Sequence, residues 1–129
     1  MPINSRKKGQ VGEREVIHIL REELGLDASR NLDQWRDGGS DVFGLNGWSI
    51  EVKRAKSPLL KQWWEQTCRQ TGDHEFPCLW YRLDRRDWRV VVPLYAVNDE
   101  FRGQPSDLEW TAELSPAAFC MLVRESLTI

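Results

Sequence analysis

Apolar residues recur at helical spacing near the start of the chain. Their period of three to four positions predicts a helix over 9–24, which Gly25 then ends. Two later Ser-Pro pairs each combine a capping hydroxyl with a proline suited to the first helical position. They predict further helices over 58–71 and 116–125. The inward positions of the first helix are Val16, Ile17, Leu20 and Leu24.

Alternation of apolar and polar residues predicts strands between these helices. The segment Leu45-Asn46-Gly47 is typical of a β-hairpin loop that joins two of them. The strand ranges are 30–36, 41–44, 48–55, 76–83 and 88–95, with a short strand over 109–114. The order α-β-β-β-α-β-β, followed by a strand and a helix, predicts an α/β (α+β) fold built on one mixed sheet.

Composition places the chain among small globular proteins. Its 129 residues fit one domain, and 40% hydrophobic with 29% charged residues can form a core beneath a polar surface. No apolar run reaches the roughly 18 residues of a membrane helix, and the N-terminal residues do not form a secretory signal. Three scattered cysteines are typical of reduced thiols in the cytoplasm. We therefore expect one cytoplasmic domain, 1–129, without membrane association.

The positive charge is concentrated locally, although the formal net charge of the chain is −2. Lysines and arginines cluster at 6–8, at 53–61 and at 82–89. A polyanion responds to the local field rather than to the average charge, so these clusters keep nucleic-acid binding open. For each cluster taken alone, a solvated surface is the better interpretation.

Seven tryptophans are many for a chain of this length. Trp48, Trp80 and Trp88 lie on predicted strands and are expected to fill the core. Trp63 and Trp64 are adjacent on a predicted helix, so we expect only one of them to face inward. The other would lie toward solvent, where a dimer contact and base stacking are both open.

Acidic residues and one lysine form the most informative pattern. Glu51 and Lys53 are two positions apart on a strand, so their side chains project from the same face. Asp41 comes from the neighbouring strand, and Glu13 lies beside the inward face of the first helix. Three converging carboxylates repel one another unless a divalent cation lies between them. The candidate ligands are carboxylate oxygens, and the chain has only two histidines. This ligand set favours Mg²⁺ or Mn²⁺.

An acidic-x-Lys triplet alone is common, and its order with the other residues gives it weight. Lys8-Gly9 precedes Glu13, the segment Gly38-Gly39-Ser40 precedes Asp41, and Glu51-Val52-Lys53 follows on the next strand. This order resembles the PD-(D/E)XK nuclease superfamily, and within it the Holliday junction resolvases of phages and archaea. Ser40 stands where that family usually has proline. The resemblance covers residues 8 to about 95, and residues 96–129 would form an extension.

The resemblance implies a restriction-endonuclease-like αβββαβ core, with a central mixed sheet flanked by helices. It implies that Asp41 and Glu51 hold the metal with the backbone carbonyl of Val52, and that Glu13 completes the site. Lys53 would position or activate the attacking water, and Gln66 would lie near the site.

We therefore predict a metal-dependent DNA endonuclease, a structure-selective resolvase that acts on four-way junctions as a homodimer. A repair, flap-processing or restriction-type nuclease of the same superfamily and a catalytically silent DNA-binding module remain the alternatives. The chain lacks a phosphate-cradling glycine loop, so no nucleotide cofactor is expected. A phage-encoded protein of this kind would act in the host cytoplasm. The predicted DNA contacts are Lys7, Lys8, Arg54, Lys56, Lys61 and Gln66.

The hairpin register provides an internal check on this hypothesis. A two-residue turn would set Asp41 opposite Val52, whereas a three-residue loop sets it opposite Glu51. The two-residue register gives the more apolar inner face, so the hydrophobic pattern and the proposed chemistry disagree. We predict the three-residue loop with Gly47 in a left-handed conformation, or a bulge beside Asp41.

Overall fold

The computed structural model describes residues 5–25, 29–30, 41–103 and 107–126. Most of the strand predicted over 30–36 lies outside these ranges. The helices are α1 Ser5–Leu24, α2 Leu60–Gln70, α3 Leu94–Val97 and α4 Pro116–Ser126. The strands are β1 Ser29–Arg30, β2 Val42–Phe43, β3 Trp48–Ala55, β4 Phe76–Leu83, β5 Arg89–Pro93 and β6 Thr111–Leu114. Short 3₁₀ turns lie at Asp99–Phe101 and Leu108–Trp110.

Predicted and observed element bounds agree best in the centre of the sheet. The strands β3 and β4 have the predicted limits, whereas α1 begins at Ser5, four residues earlier than predicted. The strand predicted over 88–95 was too long, because the chain enters the short helix α3 directly after Pro93. Proline has no N–H to donate to a neighbouring strand, which suits it to this strand end.

The six described strands form one mixed sheet in the order β1-β2-β3-β4-β5-β6. Only β3 and β4 among them run parallel, and the helix α2 connects these two strands. This architecture confirms the predicted α+β class with a mixed sheet and flanking helices. β6 pairs with β5, and α4 packs into the main core, so the predicted extension adds to the same sheet and core.

Helices cover both faces of the sheet. The face covered by α1 and α4 buries the larger core, in which Trp48, Ile50 and Val52 of β3 cluster with apolar residues of both helices. The face covered by α2 buries a second core around Leu79 and Tyr81. Side chains alternate along a strand, so Glu51 and Lys53 project toward the α2 face. This alternation decides which helix can contribute to the site.

Trp63 and Trp64 are both buried, at 7% and 1% exposed, so the prediction that one faces outward was wrong. Trp64 lies against the sheet, and the ring centroid of Trp63 lies 6.0 Å from that of Tyr81. Indole rings are large enough for two positions about 100° apart on a helix to reach one apolar surface. Neither residue therefore offers an exposed surface for a partner or for base stacking.

Trp48, Trp80 and Trp88 are buried as predicted. Cys68, Cys78 and Cys120 are free thiols. Within the described ranges, the structure has no helix of the length and apolar character that crossing a membrane requires.

Candidate active site

The hairpin between β2 and β3 has the predicted three-residue loop. Val42 pairs with Ile50, and continuing this register by one residue sets Asp41 opposite Glu51. Gly47 has a φ of 86°, the left-handed conformation that the loop requires. The apolar pattern is satisfied because Val42 and Leu45 are buried in the larger core. Asp41 consequently faces the α2 side of the sheet.

Asp41 is held by the backbone of β3. Its Oδ2 accepts a hydrogen bond from the N–H of Val52 at 2.7 Å, and its own N–H donates to the carbonyl of Ile50 at 2.7 Å. The carboxylate of Asp41 thus accepts a hydrogen bond from β3 just before β2 begins, in the place of a backbone carbonyl. Asp41 is only 4% exposed, so this hydrogen bond fixes a carboxyl group in a nearly dry position.

Glu51 lies at the centre of the cluster and is also 4% exposed. Its Oε1 lies 3.3 Å from Nζ of Lys53 and accepts a hydrogen bond from Nε2 of Gln66, also at 3.3 Å. Gln66 comes from α2, the helix that covers this face. The structure therefore brings together Asp41, Glu51 and Lys53, which the sequence pattern grouped, and Gln66, which the family resemblance placed near the site.

Burial and a neighbouring like charge raise the pKa of Glu51 to about 8. Burial is the larger cause, the carboxyl group of Asp41 adds to it, and Lys53 acts in the opposite direction. The positive charge of Lys53 therefore only partly offsets burial and the neighbouring carboxyl, and Glu51 holds its proton at neutral pH.

The donor set fits a divalent cation. Two buried carboxyl groups offer the hard oxygen ligands that Mg²⁺ and Mn²⁺ prefer, and such a cation would replace the proton that Glu51 otherwise retains. Asp41 and Glu51 are the side chains that would hold the ion, with further positions open to backbone, water or substrate oxygens.

Glu13 does not join this pair. It lies on α1, which packs against the opposite face of the sheet from Glu51 and Lys53. In the described part of the chain, no group of three or more His, Cys, Asp or Glu side chains is placed to hold a metal ion. The expected convergence of three carboxylates is therefore not seen, because helix position was inferred without knowing which face α1 covers.

The predicted DNA contacts occupy different surroundings. Lys7, Lys56 and Lys61 are exposed, whereas Nζ of Lys8 lies 2.6 Å from Oδ1 of Asp84. Arg54 lies on the α1 face, where its Nη1 is 3.3 Å from Oε1 of Glu15. Apart from Gln66, these residues lie outside the carboxyl cluster.

Glu15 has a role that the sequence pattern did not indicate. Its carboxylate accepts hydrogen bonds from Nη1 of Arg82 at 2.9 Å and from Nε1 of Trp88 at 2.8 Å, besides its contact with Arg54. The signal that could have revealed it is Gly12, one turn earlier on α1. A Cβ at Gly12 would lie 2.8 Å from Cγ of Arg54, and a glycine inside a helix often marks such a close approach.

Comparison with known proteins finds a family that matches most of this chain. The family described as "Phage putative PDDEXK endonuclease" matches residues 4–112, which include the whole carboxyl cluster. The chain belongs to this family. It is also similar to Protein D14 of Escherichia phage T5, with 28% identity over an alignment 117 positions long, which covers 71% of this chain and 72% of the relative.

Membership of a phage PD-(D/E)XK endonuclease family supports the superfamily resemblance and a nuclease function. The matched residues include Asp41 and Glu51-Val52-Lys53, where the structure forms its buried carboxyl pair.

Proposed function

We propose that this protein is a metal-dependent endonuclease that hydrolyses DNA phosphodiester bonds at branched structures, as a Holliday junction resolvase of the phage type. The observation that carries the proposal is the arrangement around Glu51. A second buried carboxyl, an ammonium group and an amide donor converge on it from β2, β3 and α2.

Each residue of the cluster has a separate role in this proposal. Asp41 and Glu51 would hold a Mg²⁺ or Mn²⁺ ion together with the backbone carbonyl of Val52. The bound ion would neutralise the scissile phosphate and lower the pKa of a coordinated water. Lys53 positions the attacking water and adds positive charge near the transition state. Gln66 orients the carboxylate of Glu51 through its amide.

The proposed substrate is a four-way junction, and the proposed active form is a homodimer. Two matched nicks require two active sites related by a two-fold axis. Trp63 and Trp64 are buried and cannot form the dimer contact. On α4, Phe119 is buried while Met121 is 52% exposed, so this helix keeps a large apolar side chain available to a partner.

Cleavage mapping on branched and linear DNA tests the proposal directly. Purified protein is incubated with a labelled four-way junction and with a linear duplex of the same arm sequence, with Mg²⁺ or with EDTA. The proposal requires paired nicks in the junction with Mg²⁺ and none with EDTA. Cleavage of flaps or linear duplex instead would support a repair or restriction-type enzyme, and binding without any cleavage would support a silent module.

Asp41→Asn tests the metal site with little change in structure. It removes the charge but keeps an oxygen that can accept a hydrogen bond from the N–H of Val52. We expect this variant to bind the junction and to lose cleavage by at least about a hundredfold, since a ligand of the ion is neutralised. Normal cleavage by Asp41→Asn would contradict the assigned metal site. Sedimentation measures the number of chains in the free protein and in its complex with the junction. A monomeric free protein together with a complex that contains one protein chain would contradict the resolvase proposal.

A further inference from the structure

A basic groove lies on the sheet face opposite the carboxyl cluster. It encloses about 500 Å³ between the first turns of α1, the end of β3 and the turn that joins β4 to β5. Four of the six residues that line it carry positive charge and one carries negative charge, an excess that the net-negative chain as a whole does not share. The lining residues are Lys7, Lys8, Val11, Arg54, Asp84 and Arg85.

The turn that forms one wall of the groove is firmly built. The N–H of Arg86 donates to the carbonyl of Leu83 at 3.0 Å, and Nε of Arg82 donates to the carbonyl of Arg86 at 2.7 Å. Arg85 has a φ of 63°, a left-handed conformation that few residues with a side chain adopt. This backbone is therefore maintained although it is unfavourable for arginine, with the side chain of Arg85 on the groove.

Asp84 occupies the position that an external anion would take. Its carboxylate is 2.6 Å from Nζ of Lys8, and the side chain is 42% exposed. The hydrogen bond from Lys8 lowers the pKa of Asp84, and the charges of Arg54 and Lys56 act in the same direction. An exposed carboxylate that is stabilised by several cations can be displaced by a phosphate, which offers more acceptor oxygens.

We propose that this groove binds backbone phosphates of a second arm of branched DNA, in competition with Asp84. This inference rests on the proposed function. Lys53 and Arg54 are consecutive on β3 and point to opposite faces, so the catalytic cluster and the groove lie on either side of the same strand end. A straight duplex on the α2 face stays on that face, whereas an arm that leaves a branch at an angle can pass the strand end and reach the groove.

The test compares four variants on two DNA substrates. Binding of a four-way junction and of a linear duplex is measured in EDTA, without cleavage, between 50 and 200 mM salt. Arg85→Asn removes the charge with a residue that tolerates the left-handed conformation, and Arg85→Lys restores it. Asp84→Asn removes the competing carboxylate. Arg86→Gln is the matched control, since Arg86 lies on the same turn but does not line the groove.

We expect Arg85→Asn to weaken junction binding about five- to tenfold at low salt and to reduce the slope of log K against log salt by about 1. Arg85→Lys should recover most of this affinity, and Asp84→Asn should tighten junction binding about two- to fivefold. Duplex binding should change less than twofold in each case. Arg86→Gln should match wild type on both substrates.

Two results would overturn the inference. Equal losses for Arg85→Asn and Arg86→Gln would indicate a general charge effect, and equal losses on junction and duplex would remove the second-arm assignment. Either result leaves the proposed function intact if wild type still cleaves the junction with Mg²⁺. Failure of wild type to prefer or cleave the junction would instead contradict the proposed function itself.

Discussion

The carboxylate of Asp41 accepts the backbone N–H of Val52 at 2.7 Å and so continues the pairing of β2 with β3 through a side chain. Val52 is 6% exposed, so its N–H would find little water if that acceptor were lost. The candidate metal ligand therefore also has a structural role, and the two roles can be separated by choosing the substitution.

Asp41→Asn and Asp41→Ala should differ in stability although both lose cleavage. Asparagine keeps an acceptor for Val52, whereas alanine leaves a buried N–H unpaired, which costs about 1–2 kcal/mol. The free energy of unfolding, measured in urea with EDTA present, should be lower for Asp41→Ala by that amount. Both variants remove the repulsion between Asp41 and Glu51, so their difference reports the lost hydrogen bond together with the smaller side chain of alanine. Equal stability would show that the N–H of Val52 finds another partner.

The metal-free protein should lose stability as pH rises from about 4.5 to about 8. The pKa of Glu51 is raised from 4.5 to about 8, chiefly by burial, so the folded chain holds this proton more tightly than the unfolded chain does. The stabilisation that this proton provides is complete below the pKa of Glu51 in the unfolded chain. It disappears as the pH rises through the pKa of Glu51 in the folded chain. Glu51→Gln should remove this decline, and the exposed Glu65→Gln should retain it.

Urea unfolding in EDTA at pH 5, 6.5 and 8 measures this effect. Between pH 5 and pH 8 the wild type should lose about 1 kcal/mol or more relative to Glu51→Gln, since one pKa unit corresponds to about 1.4 kcal/mol. Adding Mg²⁺ at pH 8 should restore wild-type stability and leave Glu51→Gln nearly unchanged. Parallel pH profiles for the two proteins would argue against a raised pKa at Glu51.

Gln66 is expected to act on the metal through Glu51. Gln66→Met removes the amide that donates to Oε1 of Glu51 but keeps a side chain of similar length. The Mg²⁺ concentration for half-maximal cleavage should rise about tenfold, as for other residues that orient a metal ligand. The rate at saturating Mg²⁺ should change less. Gln62→Met, on an exposed position of the same helix, is the control and should leave both quantities unchanged.

The limits of the central strands were predictable because the local signals for β3 and β4 agree. Alternation along β3 and β4 gave their limits, and the Leu45-Asn46-Gly47 loop limited the register to two choices. The chemistry of Asp41 and Glu51 favoured the correct choice against the more apolar pattern. The hydrophobic pattern alone favoured the wrong register. In the observed register Val42, next to Asp41, fills the inner face of the sheet.

Features that depend on packing between elements were not predictable in the same way. A helical period shows that α1 has an inward face but does not show which side of the sheet it covers, so Glu13 was placed with the wrong neighbours. Trp63 and Trp64 share one apolar surface because of ring size, which a helical projection does not represent. Glu15 gains its partners from β3, β4 and the residue before β5, all distant in sequence.

Neutralising Glu15 should destabilise the α1 face. Glu15→Gln keeps a hydrogen-bond acceptor but leaves the guanidinium groups of Arg54 and Arg82 close together without the carboxylate between them. The expected loss is about 1–2 kcal/mol in urea unfolding, a modest value because the carboxylate is about one third exposed and partly screened. The exposed Glu22→Gln on the same helix should stay within about 0.5 kcal/mol of wild type. Raising the salt concentration should narrow the gap between Glu15→Gln and wild type.

Two glycines of α1 should respond to alanine in opposite directions. Both lie inside the helix, where glycine is about 1 kcal/mol less favourable than alanine. A Cβ at Gly9 has no atom within 4 Å, so Gly9→Ala should raise the free energy of unfolding by about 0.5–1 kcal/mol. A Cβ at Gly12 would lie 2.8 Å from Cγ of Arg54 and 3.4 Å from Cη2 of Trp88.

Neither neighbour of Gly12 can easily withdraw, because Arg54 and Trp88 are both bound to Glu15 through their side chains. The strain of overpacking, about 1–3 kcal/mol, should therefore exceed the gain in helix propensity. Gly12→Ala should be less stable than wild type in urea, and the double variant Gly12→Ala with Glu15→Gln should show less than the sum of the two losses. A stabilised Gly12→Ala would mean that Arg54 moves freely, and that α1 does not approach β3 as closely as the carboxylate network requires.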